Sequence, residues 1–358
     1  MQSNLADLLE QLQQISQPSQ LFGTLDGDQR SALRRKYHQL VAQAHPDLHP
    51  HEQIAAQEAL RQINEWYQQA QAQLSQGVYG KSITLDLNTP FGHFVSYNEP
   101  WQGDLCALYP LVDNGQKLLL KVVRKGQNND LMEAEAAALQ RIERGLHGDP
   151  LRGHFSSLYE SFLWKSEQGA LHRVNLLGQI EGCFTLSSVI KAFPKGLDLA
   201  DAAWIFNRVL AALAKTHQLG LVHGAVLPCH ILIDPRDHNG ILIDWCYSVP
   251  IGERIRSISP SHKADYPPEV LQKLPAQPAT DLYMAARCML HLLGAKHELD
   301  ELSPAVPKAM QALLRACLIP APHRRYGNAW QLFDDFRTLL EKLYGPARFR
   351  PFPAINLV

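Results

Sequence analysis

Two groups of residues have types and spacing suited to chemistry. In LVAQAHPDLHP, residues 40 to 50, His45 and Asp47 flank Pro46. Proline ends a helix and holds the residue before it in extended backbone, so this loop would present an imidazole and a carboxylate in a fixed geometry at little entropic cost. Arg34, Arg35 and Lys36 fall on the polar side of the segment before it. Together these residues would form a compact surface of mixed charge, attracting an acidic partner while Asp47 offers its carboxylate to a partner arginine. The other group centres on Lys121 in LLLKVV. An ammonium among leucines and valines is costly to bury unless an anion meets it, so Lys121 requires a carboxylate from elsewhere in the chain.

The elements that must position these residues follow from apolar periodicity. Leu5, Leu8, Leu9, Leu12 and Ile15 predict a short amphipathic helix over residues 3 to 16, ended by the breaker SQPSQ. Leu33, Tyr37, Leu40, Val41 and Ala44 form one stripe, and Ala56, Leu60, Ile63, Tyr67 and Ala70 another, which predicts a helical hairpin around the proline turn. After Ser75 the texture changes to short apolar runs. GDLCALYPLV and KLLLKVV flank Asp113, Asn114 and Gly115, a strong hairpin signal, and residues 130 to 142 read as the next helix. From about residue 200 helices dominate, interrupted by the short strands HILID and GILID. A strand-rich piece followed by a helix-rich one predicts a two-lobed α+β domain with a cleft.

Composition bounds the function. The chain has 358 residues, 46% of them hydrophobic and 19% charged, enough for a large core in two or three domains. A formal net charge of −1 argues against nucleic acid or an acidic membrane surface as the main partner. Six cysteines, at 106, 183, 229, 246, 288 and 317, include no Cys-x-x-Cys pair, so neither a structural zinc site nor a dense disulfide framework is expected. With no secretory-type leader and no apolar run long enough to span a bilayer, the expected location is the cytoplasm.

The N-terminal hairpin resembles the J domain of DnaJ-type co-chaperones across roughly residues 18 to 75. Tyr37 and Leu40 lie eight and five residues before His45, as in that family, and INEWY, from Ile63 to Tyr67, matches its third-helix signature. The resemblance implies that His45, Pro46, Asp47, Arg34, Arg35, Lys36 and Tyr37 dock on the ATPase domain of a DnaK-type chaperone and trigger its hydrolysis of ATP. The glycine- and phenylalanine-rich linker and the zinc-binding region of full DnaJ proteins are missing, which points to the specialised class that selects a protein client through a private domain.

Residues 85 to 342 resemble a protein kinase. Lys121 stands on the strand lysine and Glu135, in EAEAAAL, on its helix partner. LVHGAVLPCHILID aligns with the catalytic loop, placing His223 on its histidine and Pro228 on its proline. Ala225 occupies the position of the catalytic aspartate, Gly224 that of the arginine, Leu227 that of a frequent lysine, and His230 that of the second-metal asparagine. Because magnesium prefers oxygen, His230 is expected to be a satisfied core or turn histidine rather than a ligand. Asp244 matches the metal-binding aspartate of Asp-Phe-Gly and is the one metal candidate, although Trp245 and Cys246 follow it. YNEPWQGDLCAL keeps Gly103 but not the spaced glycines of a phosphate-covering loop. Glu269 in YPPEV, Asp281 in ATDLYMAA and Arg325 resemble the scaffold residues that end the activation segment, brace the catalytic loop and pair with the segment's glutamate.

These resemblances imply a multidomain α + (α+β) protein: a J domain with its preceding helix over 1–75, a linker over 76–84, a bilobal kinase-like domain over 85–342 and a tail over 343–358. The implied function is that of a co-chaperone, not an enzyme. Its kinase-like domain would be a pseudokinase binding a client, a partner or a nucleotide, with no catalytic residue, no required cofactor, and ATP with magnesium as optional ligands of the nucleotide-binding candidates Lys121, Glu135, Asp244 and Gly103. Two rivals remain: a kinase-fold transferase that uses ATP without the usual aspartate, and an inert scaffold. The tail YGPARFRPFPAINLV could dock on the kinase-like domain or on a partner, and Ser257, Ser259 and Ser261 are candidate modification sites.

Overall fold

The alanines and leucines of the N-terminal third pack as their spacing predicts. The computed structural model describes residues 5–113, 115–166, 168–296 and 298–353. Helices Leu5–Gln14, Gln29–Gln43 and Gln53–Ser75 bury Leu5, Leu8, Leu12, Ala44, Ala56, Ala59 and Ile63 in one cluster. The alanines at 56 and 59 carry no bulk beyond Cβ, which lets the neighbouring helices approach the long one closely. Asp28 caps the middle helix by accepting from the Arg30 amide at 3.2 Å.

SQPSQ does more than break a helix. Pro18 opens the short helix Pro18–Phe22, where its missing amide is no loss. The Gln20 side-chain oxygen accepts from the Ser16 and Gln17 amides at 2.7 and 3.2 Å. The expected first helix began at residue 3, but residues 3 and 4 lie outside the described residues, as do Asn114 of the expected hairpin turn and residues 354–358 of the tail. Gly115 beside that turn has φ +79°, the conformation the turn signal anticipated.

The chain divides into two compact units, Met1–Pro100 with Pro110–Gln116, and Trp101–Tyr109 with Lys117–Val358. The antiparallel pair Leu85–Thr89 and Gly92–Ser96 belongs to the first unit. There the Ser96 hydroxyl donates to the Pro110 carbonyl at 2.7 Å.

The second unit carries the chemistry. It holds most of a five-stranded sheet that runs Trp101–Gln102, Cys106–Asp113, Gln116–Val123, Leu171–Gly178 and Leu158–Lys165 in spatial order, so the lysine strand lies in the middle. In the register of the third and fourth of these strands Lys121 pairs with Asn175. Helix Asn129–Gly145 packs on this sheet through Leu131, Met132, Glu135, Leu139 and Ile142, an i, i+3, i+4 stripe in which the only charged member is Glu135. The remainder is helical. Leu199–Gln218 is buried along most of its length and packs against Pro278–Leu292 and Ala329–Tyr344.

The tail docks on this helical part. Phe349 packs on Trp204 and Phe352 on His238, while Arg350 pairs with Asp198 at 2.7 Å and Asp201 at 3.5 Å. The architecture is mixed α/β and multidomain, with an N-terminal helical region and a central sheet-rich lobe, consistent in general terms with a kinase-like fold. Among the described residues no helix is long and apolar enough to cross a membrane.

Candidate active site

Lys121 finds the anions its sequence context demands. Its ammonium is buried and donates to Glu135 Oε1 at 2.8 Å and to Asp244 Oδ1 at 2.5 Å, with the Cys246 sulfur at 3.2 Å. Glu135 is fixed in turn: Oε1 also accepts from the Trp245 amide at 3.2 Å, and Oε2 from the Asn175 side chain at 2.9 Å. Burial alone would lower the lysine pKa, but the charge of Asp244, with Cys246 and Glu135, holds it well above its usual value.

Asp244 sits in left-handed backbone, φ +61° and ψ +64°, directly after strand Asn239–Leu242. This turn sends Trp245 into the core, where it is fully buried, and leaves the Asp244 carboxylate about a quarter exposed. Its other oxygen accepts from His230 Nε2 at 3.1 Å. His230 Nδ1 donates to the Ala225 carbonyl at 3.0 Å, so both ring nitrogens act as donors and the ring is an imidazolium. Against burial, Asp244 and a hydrogen bond with Cys229 raise its pKa to about 10. Lys121 and His230 likewise overcome burial to hold the Asp244 carboxyl well below the usual range. The expectation of a satisfied core histidine is thereby sharpened. His230 is a buried cation paired with the candidate metal ligand.

The loop before it is built for rigidity. Asp281, fully buried, accepts from the His223 and Gly224 amides at 2.8 and 2.9 Å and from His217 Nε2 at 3.0 Å. His223 is neutral, since burial lowers its pKa to about 4; Nε2 donates to the Ile243 carbonyl at 3.1 Å and Nδ1 accepts from the Ala225 amide at 3.3 Å. Gly224 has φ +78°, and a Cβ there would collide with the Tyr247 carbonyl oxygen, so this backbone has no place for the arginine of the kinase motif. Ala225 is fully buried and supplies no carboxylate.

The remaining scaffold residues also meet. Arg325 donates to both oxygens of Glu269, at 2.6 and 3.0 Å, in a fully buried pair that also engages the Pro320 carbonyl. Gly103 donates its amide to the Cys106 carbonyl at 3.0 Å, and the neighbouring Asp104 carboxylate accepts from Ser259 Oγ. Ser259 is buried and Ser261 exposed.

In the first unit His45 is extended, φ −67° and ψ +130°, and its Nδ1 accepts from the Asp47 amide at 3.3 Å. Both side chains are exposed, at 49% and 88%. Arg34 and Arg35 are exposed as well, but the Lys36 ammonium donates to the carbonyls of Phe22 and Thr24, each at 2.6 Å. Tyr37 stacks on Tyr67 with ring centroids 4.0 Å apart and donates to Asn64 at 2.7 Å, which makes it a brace between the two helices.

Glu135, Asp244 and Cys246 bring three donor atoms close enough to coordinate a metal ion. The Lys121 ammonium already bonds to all three, and a thiol suits a softer ion than magnesium. Of the three, Asp244 alone combines oxygen donors with an exposed face, as magnesium requires, and a magnesium ion there would share its carboxylate with Lys121 and His230.

No family model matches the chain. It is 31% identical over 104 residues to casein kinase II subunit alpha' of Saccharomyces cerevisiae, covering 28% of this chain and 30% of that one. It is 28% identical over 165 residues to the serine/threonine-protein kinase PkaB of Streptomyces coelicolor, covering 39% of each. The chain thus spans well under half the length of these relatives.

One expectation is overturned. The domain was expected to be a pseudokinase with no enzymatic role, because Ala225 replaces the catalytic acid. Yet the Lys121–Glu135 ion pair is intact, buried and joined to Asp244, and the sequence is similar to two protein kinases. The chain is a distant, partial match to protein-kinase sequences, and the buried lysine–glutamate pair that the dismantled reading left out of account is in place.

Proposed function

We propose that this protein is a kinase-like transferase that uses ATP without a carboxylate at position 225, and that its N-terminal hairpin brings it to a DnaK-type chaperone and that chaperone's clients. The observation that carries the reading is the buried cluster of Lys121, Glu135, Asp244 and His230, in which two cations and two carboxylates balance at hydrogen-bonding distance. Lys121 would meet phosphate oxygens, Glu135 would keep its ammonium aimed, and His230 would hold Asp244 in place. Asp244 would hold a magnesium ion, which when bound supplies charge compensation to the phosphates.

A missing base does not forbid the reaction. Phosphoryl transfer passes through a loose transition state, so positioning and charge compensation carry most of the catalysis. General-base help is worth roughly 10²- to 10⁴-fold, and slow turnover is the expected consequence of Ala225. Incubation with γ-labelled ATP tests the reading. Label should pass to an acceptor with wild type and fail to pass with both Lys121→Met and Asp244→Asn; equal transfer by the variants, or none by wild type, would contradict it.

For the hairpin, support comes from the exposed pair His45 and Asp47 on a proline-locked turn, with Arg34 and Arg35 exposed on the preceding helix. Mixed charge on a rigid loop favours a partner surface with both an acidic patch and an arginine.

A further inference from the structure

We propose that the cavity between helices Leu199–Gln218 and Ala329–Tyr344 is a binding site for a small aromatic carboxylate. Its origin lies in the facing sequences of the two helices. Ala200, Ala203, Asn207 and Ala211 line it from the first, and Trp330, Phe333, Arg337, Leu340 and Tyr344 from the second, each set in steps of three and four along one face. Alanine carries nothing beyond Cβ, so between these faces a cavity of about 590 Å³ is left unfilled. That volume falls within the span of roughly 300–1,000 Å³ in which apolar walls with a few polar groups hold small molecules.

The tail supplies the remaining wall. The chain leaves the last helix through Gly345, whose φ of +74° turns it back, and Pro346, Ala347 and Arg348 then border the cavity. Arg350 fastens this wall to Asp198 at 2.7 Å, and Phe349 packs on Trp204, itself a lining residue, with ring centroids 5.7 Å apart.

Charge identifies the ligand. Asp201, Arg208, Arg337, Glu341, Arg348 and Arg350 are the charged residues of the lining. Asp201 pairs with Arg350 at 3.5 Å and Glu341 with Arg337 at 3.7 Å. The side chains of Arg208 and Arg348 make no hydrogen bond or ion pair among the described residues, which leaves the cavity with two guanidinium groups in excess. Their planar forks match a carboxylate, and a singly charged head costs less to bring beside apolar walls than a phosphate dianion. The rings of Trp204, Trp330 and Phe333 suit a flat apolar body. This site is independent of the transferase reading.

Titration calorimetry of the full chain with 2-naphthoate, run beside its neutral amide 2-naphthamide, tests the proposal. The acid should bind saturably at one site and the amide at least about tenfold more weakly, because charge-assisted hydrogen bonds are roughly twice as strong as neutral ones. Arg208→Gln and Arg348→Gln should each weaken the acid by about three- to tenfold, the effect of one partly solvated charge contact, and leave the amide unchanged. Arg208 is half-buried and Arg348 exposed, so both variants should fold, as a thermal melt would verify. Absence of saturable binding at millimolar acid, equal affinity for acid and amide, or an acid affinity unmoved by both variants would overturn it.

Discussion

Lys121 and Asp244 are 123 residues apart in sequence and 2.5 Å apart in space, and Glu135 shares the same ammonium at 2.8 Å. One buried cation therefore ties strand Gln116–Val123, helix Asn129–Gly145 and the turn at Asp244 together. Lys121→Met would leave two acids at the cluster with His230 as their only cation. Breaking a buried pair in this way costs about 3–5 kcal/mol, so urea unfolding should show a loss of that order. A loss under about 1 kcal/mol would mean that the cluster is open to water.

Arg325 and Glu269 form another fully buried pair. Arg325→Lys should destabilise by about 2–4 kcal/mol, because an ammonium cannot reproduce the two-pronged contact with Glu269 while also reaching the Pro320 carbonyl. Chemical denaturation measures this. A neutral result would contradict the assigned geometry.

His223 links stability to pH. Its pKa is depressed from 6.5 to about 4 in the folded protein, so the native ring stays neutral where the unfolded one takes up a proton. Stability is whole above about pH 6.5 and is lost as pH falls toward 4, by about 1.4 kcal/mol per pH unit for one proton. His223→Gln should flatten that acid limb in melts between pH 4 and 6.5; an unchanged slope would show that other groups carry it.

His45→Gln and Asp47→Asn change exposed side chains, so each should shift stability by less than about 0.5 kcal/mol. Stimulation of a DnaK-type ATPase in single turnover should nevertheless be lost. Unchanged stimulation would remove the hairpin from the proposed function.

Much of the site was legible in the sequence, for a physical reason. A lysine inside an apolar strand must find an acid, and that requirement needs no coordinates. The charge on His230 was not legible: it depends on Nε2 reaching Asp244 and Nδ1 reaching a carbonyl, relations between loops that no spacing encodes. Ala225 misled by its clarity, because an absent acid reads as absent chemistry while the buried cluster of Lys121, Glu135 and Asp244 is assembled elsewhere.

Lys121, Glu135 and Asp244 are proposed to form a site for nucleotide phosphates. Titration calorimetry of the full chain with ATP and magnesium measures it directly. Wild type should bind saturably, with affinity weakened at least tenfold by Lys121→Met and by Asp244→Asn in protein that remains folded. Absence of binding by wild type at millimolar ATP, or equal affinity in both variants, would contradict it.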